Sequence, residues 1–238
     1  MIKLTKPSLV VFDLDNTLYD YEATNQFASS LLIENISVRT KIRLQEVNNA
    51  LTQARINVKN RLGSTASSHS RLLYISEAFR ILDLRPNPSF FIEAEEIFWE
   101  AFLRKMKIFE GAKELIQEIQ LQRIQIALVT DLTSQIQYRK IAALNLNDVF
   151  DFFITSEEVG SDKSTGKAFN LLFNRIKKQP DMVWFIGDGP HDFSSELADT
   201  SVFLKRNVQS NKRHMKNQIN YIELHEITKY LKKVLDLD

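Results

Sequence analysis

The rhythm of apolar and polar positions changes twice along the chain. Residues 9–12, Leu-Val-Val-Phe, form a continuous apolar run, too short for a helix and typical of a strand covered on both faces. From residue 18 to residue 107 apolar positions recur at helical spacing instead. Leu72, Ile75, Phe79 and Leu82 make one stripe, and Phe90, Ala94, Ile97, Phe98 and Ala101 another. Arg85-Pro86-Asn87-Pro88 separates these two helices, because proline and the residue before it resist helical geometry. The stretch predicts an all-helical insert of three or four helices. Its phenylalanines and Trp99 read as packing surfaces rather than a cofactor pocket.

From residue 108 helices and strands alternate. Helices are predicted after Gly111 (Ala112, Leu115, Ile116 and Ile119 on one face), over 133–144, around Phe169, Leu172, Phe173 and Ile176, over 194–198, and on Ile227, Tyr230, Leu231, Val234 and Leu235. Strands are predicted over 124–129, 152–154, 182–186 and 202–204, with a polar loop over 157–163. This alternation predicts an α/β fold, a doubly wound, Rossmann-like parallel sheet with helices on both faces. Residues 1–17 and 108–238 are expected to form the core domain, and 18–107 the helical domain inserted into it.

Ligands of open α/β sheets bind beyond the carboxyl ends of the strands. Here those ends or the loops after them carry Asp13 with Asp15, Thr130 with Asp131, Lys163, and Asp188 with Asp192. Side chains alternate across a strand, so Asp13 and Asp15 can point the same way while Leu14 points the other. Alone, the pair could simply end a strand and cap a turn; four such strand ends converging on one edge point to a site. Carboxylates so placed suit a hard cation such as Mg²⁺, which takes oxygen ligands and leaves positions for water and phosphate. Asp13, Asp15, Asp188 and Asp192 are the expected metal set, with Asp13 and Asp188 as side-chain ligands and Asp192 second. Thr130, Asp131 and Lys163 are the expected phosphate-binding set, a hydroxyl and a point positive charge matching a phosphoryl group. Asp13 could then attack phosphorus in line, with Asp15 as general acid and later general base.

Composition narrows the class. The 238 residues are 44% hydrophobic and 26% charged, an ordinary globular balance, and a net charge of +1 gives no field to attract nucleic acid or an anionic membrane. The absence of cysteine excludes disulfides and thiolate metal sites. No apolar signal core opens the chain, and no stretch approaches the roughly 18 apolar residues of a membrane span. The expectation is a cytoplasmic monomer or homodimer acting on a small phosphomonoester, with neither nucleic acid nor membrane as partner.

These residues resemble the motifs of the haloacid dehalogenase (HAD) superfamily, in the phosphatase-like group whose helical cap follows the first strand. Asp13, Asp15 and Thr17 match Asp-x-Asp-x-Thr, Thr130 the second motif, Lys163 the third, and Gly187, Asp188 and Asp192 the fourth, Gly-Asp-x-x-x-Asp. The resemblance implies an aspartate nucleophile at Asp13, an acid/base at Asp15, and Mg²⁺ on the fourth-motif acids. Three departures stand out: Asp131 where many relatives have Asn, Ser164 for the proline after the lysine with Lys167 as a competing candidate, and Gly189 for the usual Ser or Thr. A 2-haloacid dehalogenase would need neither Mg²⁺ nor an acid at Asp15, and a receiver-like phosphoacceptor would not need so long an insert. The non-enzymatic alternative is a HAD-like scaffold that binds a phosphorylated ligand or partner without turnover. In the insert, the polar stretch 61–71 offers Arg61, His69 and Arg71 as specificity residues, or else a solvated connection capped by Ser70. The basic run from Lys205-Arg206 to Lys212-Arg213-His214-Met215-Lys216 reads as a solvated loop.

Overall fold

The computed structural model describes residues 5–193, 201–206 and 218–235. In chain order the elements are β1 (Leu9–Phe12), α1 (Tyr21–Thr40), α2 (Leu44–Leu62), α3 (Arg71–Ile81), α4 (Pro88–Lys105), α5 (Ala112–Leu121), β2 (Gln125–Thr130) and α6 (Ser134–Ala143). There follow β3 (Phe152–Thr155), α7 (Ser156–Val159), α8 (Lys167–Arg175), β4 (Val183–Gly187), β5 (Ser201–Arg206), β6 (Gln218–Tyr221) and α9 (Leu224–Val234). All strand pairings are parallel, in the order β3-β2-β1-β4-β5-β6.

β1 is buried along its whole length because β2 and β4 flank it and both its faces are covered. Strand alternation sorts its side chains. Val10 and Phe12 join Leu128, Trp184, Ile186 and Leu204 under α5 and α9, while Leu9 and Val11 join Ala127, Val129, Phe185 and Phe203 under α8. Each such buried Leu or Phe contributes about 1.5–3 kcal/mol. The sheet is therefore doubly wound. In this register Phe12 lies beside Leu128 and Ile186, so the residues after β1, β2 and β4 emerge at one edge.

In the insert, α1 packs chiefly on α4 and α2 on α3. The apolar stripes of α3 and α4 face inward, with Ile75, Phe79, Phe90, Ala94, Phe98, Trp99 and Ala101 buried. Asn87 caps α4 by accepting from the Phe90 N–H, and Ser70 caps α3 by accepting from that of Leu73. The chain leaves the sheet and returns to it side by side, as Tyr19 bridges Ile108 and the Phe109 N–H donates to the Leu18 carbonyl at 2.8 Å.

The sequence pattern missed β6, whose Gln218 and Asn220 interrupt the apolar run that marks the other strands. The stretch 157–163 is not wholly loop. It includes most of α7, N-capped by Thr155 and closed by Gly160 at φ 76°, and the start of a 3₁₀ turn over Lys163–Thr165. Lys205 and Arg206 end β5. The helix expected over 194–198 and the basic run over 212–216 lie outside the described residues. No helix among the described residues is long and apolar enough to cross a membrane.

Candidate active site

Asp13 follows β1 directly, and its N–H still donates to the Ile186 carbonyl at 2.9 Å, which fixes the backbone against β4. Its carboxylate accepts from Thr17 Oγ1 at 3.1 Å and from the buried ammonium of Lys163. Lys163 also pairs with Asp192 at 2.5 Å. Carboxylate oxygens of Asp13, Asp188 and Asp192 all lie within 4.8 Å of one another. Lys167, by contrast, is exposed.

Asp192 is held by the backbone, its Oδ2 accepting from the N–H groups of Asp188 (3.0 Å) and Gly189 (2.8 Å). That hairpin leaves no room at Gly187, where a Cβ would stand 2.3 Å from the Cβ of Asp192. Asp131 accepts from the Lys163 N–H at 2.8 Å and so anchors the turn that delivers the lysine. Thr130 is buried; Gln137 of α6 donates to its Oγ1 at 2.5 Å, and the hydroxyl in turn donates to the Asp131 carbonyl at 3.5 Å, a long contact that a closer acceptor would replace. Two residues beside the site adopt positive φ without being glycine, Asn16 at 62° and Leu132 at 99°. Backbone strain of that kind clusters where a loop is held for function, and Ser156 Oγ accepts from the Leu132 N–H at 2.9 Å.

Asp15 is placed differently from Asp13. Its carboxylate accepts from Tyr19 Oη at 2.5 Å and from Lys140 Nζ at 2.9 and 3.0 Å, outside the three-acid cluster. Lys140 of α6 is fully buried, with the rings of Tyr19, Tyr21 and Phe102 at 5.9, 5.6 and 5.4 Å. The sequence signal for Lys140 was a cation one turn after Ile136 on the buried face of α6, and it was not followed.

Crowding sets the electrostatics. Burial, and then the Asp192 carboxylate, pushes Asp13 well above the usual carboxylate range against the pull of Lys163. Asp188 is raised for the same two reasons, and Asp131 by burial. Burial would lower Lys163, but Asp13, Asp192 and Asp131 outweigh it and hold the ammonium charged. Three converging oxygen donors, destabilised by one another, fit a hard divalent cation, and Asp13, Asp188 and Asp192 are the residues that would hold it.

The insert supplies the opposite wall. Tyr21, Arg55, Lys59, His69, Arg71 and Tyr74 line the same cavity of about 230 Å³ as Asp13, Asp15, Thr130, Asp131, Lys163, Asp188 and Asp192. Of the three insert residues singled out from sequence, His69 and Arg71 are there; Arg61 turns away to Glu77 at 3.6 Å. His69 Nε2 meets Asp162 at 3.3 Å, and the Asp162 N–H donates to the Ser64 carbonyl, so the polar stretch rests on the loop that carries Lys163.

Comparisons with known proteins identify the family. The family model for haloacid dehalogenase-like hydrolases matches residues 10–203. Ribulose-1,5-bisphosphate 5-phosphatase of Halopiger xanaduensis is 34% identical over 190 residues, 79% of this chain and 78% of that protein. Glyceraldehyde 3-phosphate phosphatase of Pyrococcus furiosus is 24% identical, over 76% of this chain and 72% of its own length. Among solved structures, the HAD-hydrolase YfnB of Bacillus subtilis, bound to magnesium, superposes with a TM-score of 0.70 at 19% identity, over 96% of this chain and 100% of that one. A doubly wound sheet with its acids, threonine and lysine gathered at one edge, matched by the family model from β1 into β5, places this chain in the haloacid dehalogenase-like hydrolase family.

Proposed function

We propose that the protein is a Mg²⁺-dependent phosphatase of small-molecule phosphomonoesters that works through an aspartyl-phosphate on Asp13. The observation that carries this reading is the contact of Asp13 with Lys163 inside a cluster of oxygen donors, at the floor of a cavity roofed by basic residues. Both relatives named as phosphatases act, by their names, on small sugar-type phosphates. A cavity of about 230 Å³ suits substrates of that size, below the roughly 300–1,000 Å³ of drug-sized sites.

An Asp13 carboxylate oxygen attacks phosphorus as the bond to the leaving alcohol breaks. Asp15 gives its proton to that alcohol, then takes one from the water that cleaves the acyl phosphate, while Tyr19 and Lys140 fix its orientation. Lys163 and the Thr130 hydroxyl bind phosphoryl oxygens, where most of the catalysis of phosphoryl transfer lies. Mg²⁺, when bound by Asp13, Asp188 and Asp192, neutralises charge on the phosphoryl group. Residues 18–107 act as a cap that excludes water, turning on the paired crossings at Tyr19 and Ile108. A cytoplasmic monomer or homodimer, working without nucleic acid or membrane, completes the proposal.

Phosphate release from a panel of metabolite phosphomonoesters, with and without Mg²⁺, tests it with wild type beside Asp13→Asn. Release that needs both Mg²⁺ and Asp13 is expected. A substantially active Asp13→Asn protein would sink the mechanism.

A further inference from the structure

Six cations of the insert, on α2, α3 and the stretch between them, divide into two groups. Arg61 and Arg80 pair with Glu77, and His69 meets Asp162. Arg55, Lys59 and Arg71 line the reaction cavity, and among the described residues none of them has a carboxylate within 4.0 Å. Arg71 is the most constrained. Its guanidinium donates to Tyr21 Oη at 2.9 Å, Asn25 Oδ1 at 2.8 Å and the His69 carbonyl at 3.4 Å, and lies 4.8 Å from the centre of the Phe98 ring. Those neutral partners aim the planar fork and remove part of its water without cancelling its charge. Lys59 stands one turn after Arg55 on α2, and partial burial and then the Arg55 charge hold its ammonium below the usual lysine range. Three like charges gathered in one cavity are mutually costly unless an anion joins them.

Arg55, Arg71 and Tyr74 also line a second cavity of about 200 Å³ inside the insert, together with Asn25, Ser29 and Thr52. The basic cluster therefore stands where the reaction cavity meets a second recess of mixed polar and apolar lining. The transferring phosphoryl already has Lys163 and the three-acid cluster on the sheet side. The arginines are left for another charge.

We propose that Arg55, Lys59 and Arg71 form a subsite for a second anionic group, phosphate or carboxylate, at the end of the substrate remote from the scissile phosphate. This rests on the phosphatase reading and narrows it to small phosphomonoesters with two anionic ends. Arginine matches either anion through paired N–H donors, and lysine adds a point charge. Removing one such charge-assisted contact weakens recognition about ten- to hundredfold.

The test compares initial rates, with Mg²⁺, on two matched pairs: ribulose 1,5-bisphosphate against ribulose 5-phosphate, and 3-phosphoglycerate against glycerol 3-phosphate. p-Nitrophenyl phosphate is the common reference. Wild type should prefer the two-anion member of at least one pair by roughly tenfold or more in kcat/KM, and the preferred pair identifies phosphate or carboxylate as the remote group. Arg71→Gln should erase that preference, mainly through KM. Because Arg71 also packs on Phe98, Arg55→Gln and Lys59→Gln on α2 provide the second route, each shrinking the same ratio. Equal or better turnover of the single-anion members in both pairs overturns the subsite, as does a preference that survives all three substitutions. Silence on all four metabolites and on p-nitrophenyl phosphate breaks the phosphatase reading itself, and the subsite falls with it.

Discussion

At the sheet edge Asp13, Asp131 and Asp192 accept from the Lys163 ammonium or from backbone N–H groups, with the Asp188 carboxylate in the same cluster as Asp13 and Asp192. Across the cavity Arg55, Lys59 and Arg71 stand on two helices of the insert, with Arg71 held by neutral partners, Tyr21 and Asn25. The acidic side rises from strand ends in fixed register, so its geometry is tied to the main core. The basic side belongs to a segment joined to the sheet through two adjacent crossings. One side can therefore keep a reaction constant while the other varies what is presented to it. Substitutions on the two sides should fail differently: acidic-side changes in kcat for every substrate, basic-side changes in the choice among substrates.

The largest effect is expected at Asp13. Asp13→Asn should lower turnover at least about a thousandfold for any phosphomonoester, since the proposed covalent intermediate forms on that carboxylate. It should leave the thermal midpoint unchanged or higher, because burial and Asp192 already disfavour the charge. A midpoint that falls sharply would show that the acidic side serves folding as much as chemistry.

Gly187→Ala tests the same side through space rather than charge. The new Cβ would lie 2.3 Å from the Cβ of Asp192, an atom close to the backbone that cannot swing away. Overpacking of this kind costs about 1–3 kcal/mol, and moving Asp192 should lower kcat about a hundredfold with Mg²⁺ affinity weakened alongside. Calorimetric Mg²⁺ titration beside rate measurements checks both. Lys140→Met keeps the buried volume but frees Asp15, so kcat should fall about tenfold with KM little changed. Lys140→Arg should recover part of the loss. If a fall in KM accompanies the fall in kcat, Lys140 acts on bound substrate rather than through Asp15.

The acidic side is legible because its candidate residues end or follow strands that apolar runs mark: Asp13 after Phe12, Thr130 as the last residue of β2, Asp188 after Gly187. Lys163 stands further on, in the loop after β3, where the resemblance to the third motif marks it; the 3₁₀ turn that presents it is not evident from a polar run. What sequence did not reveal was pairing. Arg61 looked equivalent to Arg71, but Glu77 is near enough to take it, and sixteen residues of separation conceal that contact. Arg55 and Lys59 carry no motif of their own; only the packing of α2 on α3 brings them to the site. The complete burial of Lys140 and Gln137 depends on partners in other segments, Tyr19 and Asp15 for the lysine and Thr130 for the glutamine, which no local pattern on α6 announces. β6 was missed because polar Gln218 and Asn220 break the apolar run.

Glu77 gives the smallest effect and probes the insert on its own. Its carboxylate accepts from Arg80 at 2.6 Å and Asn57 at 2.9 Å, and those two hydrogen bonds lower its pKa from 4.5 to about 2. The folded value lies below the unfolded one, so the stabilisation is fully present above about pH 4.5 and is lost as pH falls toward about 2. Arg80 and Arg61 are 67% and 55% exposed, so water screens the pair and the net contribution is about 1 kcal/mol. Glu77→Gln should therefore lower the thermal midpoint by about 2–4 °C at neutral pH and flatten its decline between pH 4.5 and 2. Glu77 does not line the reaction cavity, so kcat on p-nitrophenyl phosphate should hold. Glu77→Gln also leaves Arg61 without its carboxylate. If the preference for two-anion substrates then shifts although stability changes as expected, Arg61 has joined the basic side, and the sorting of paired from unpaired cations by Glu77 is itself part of what selects the substrate.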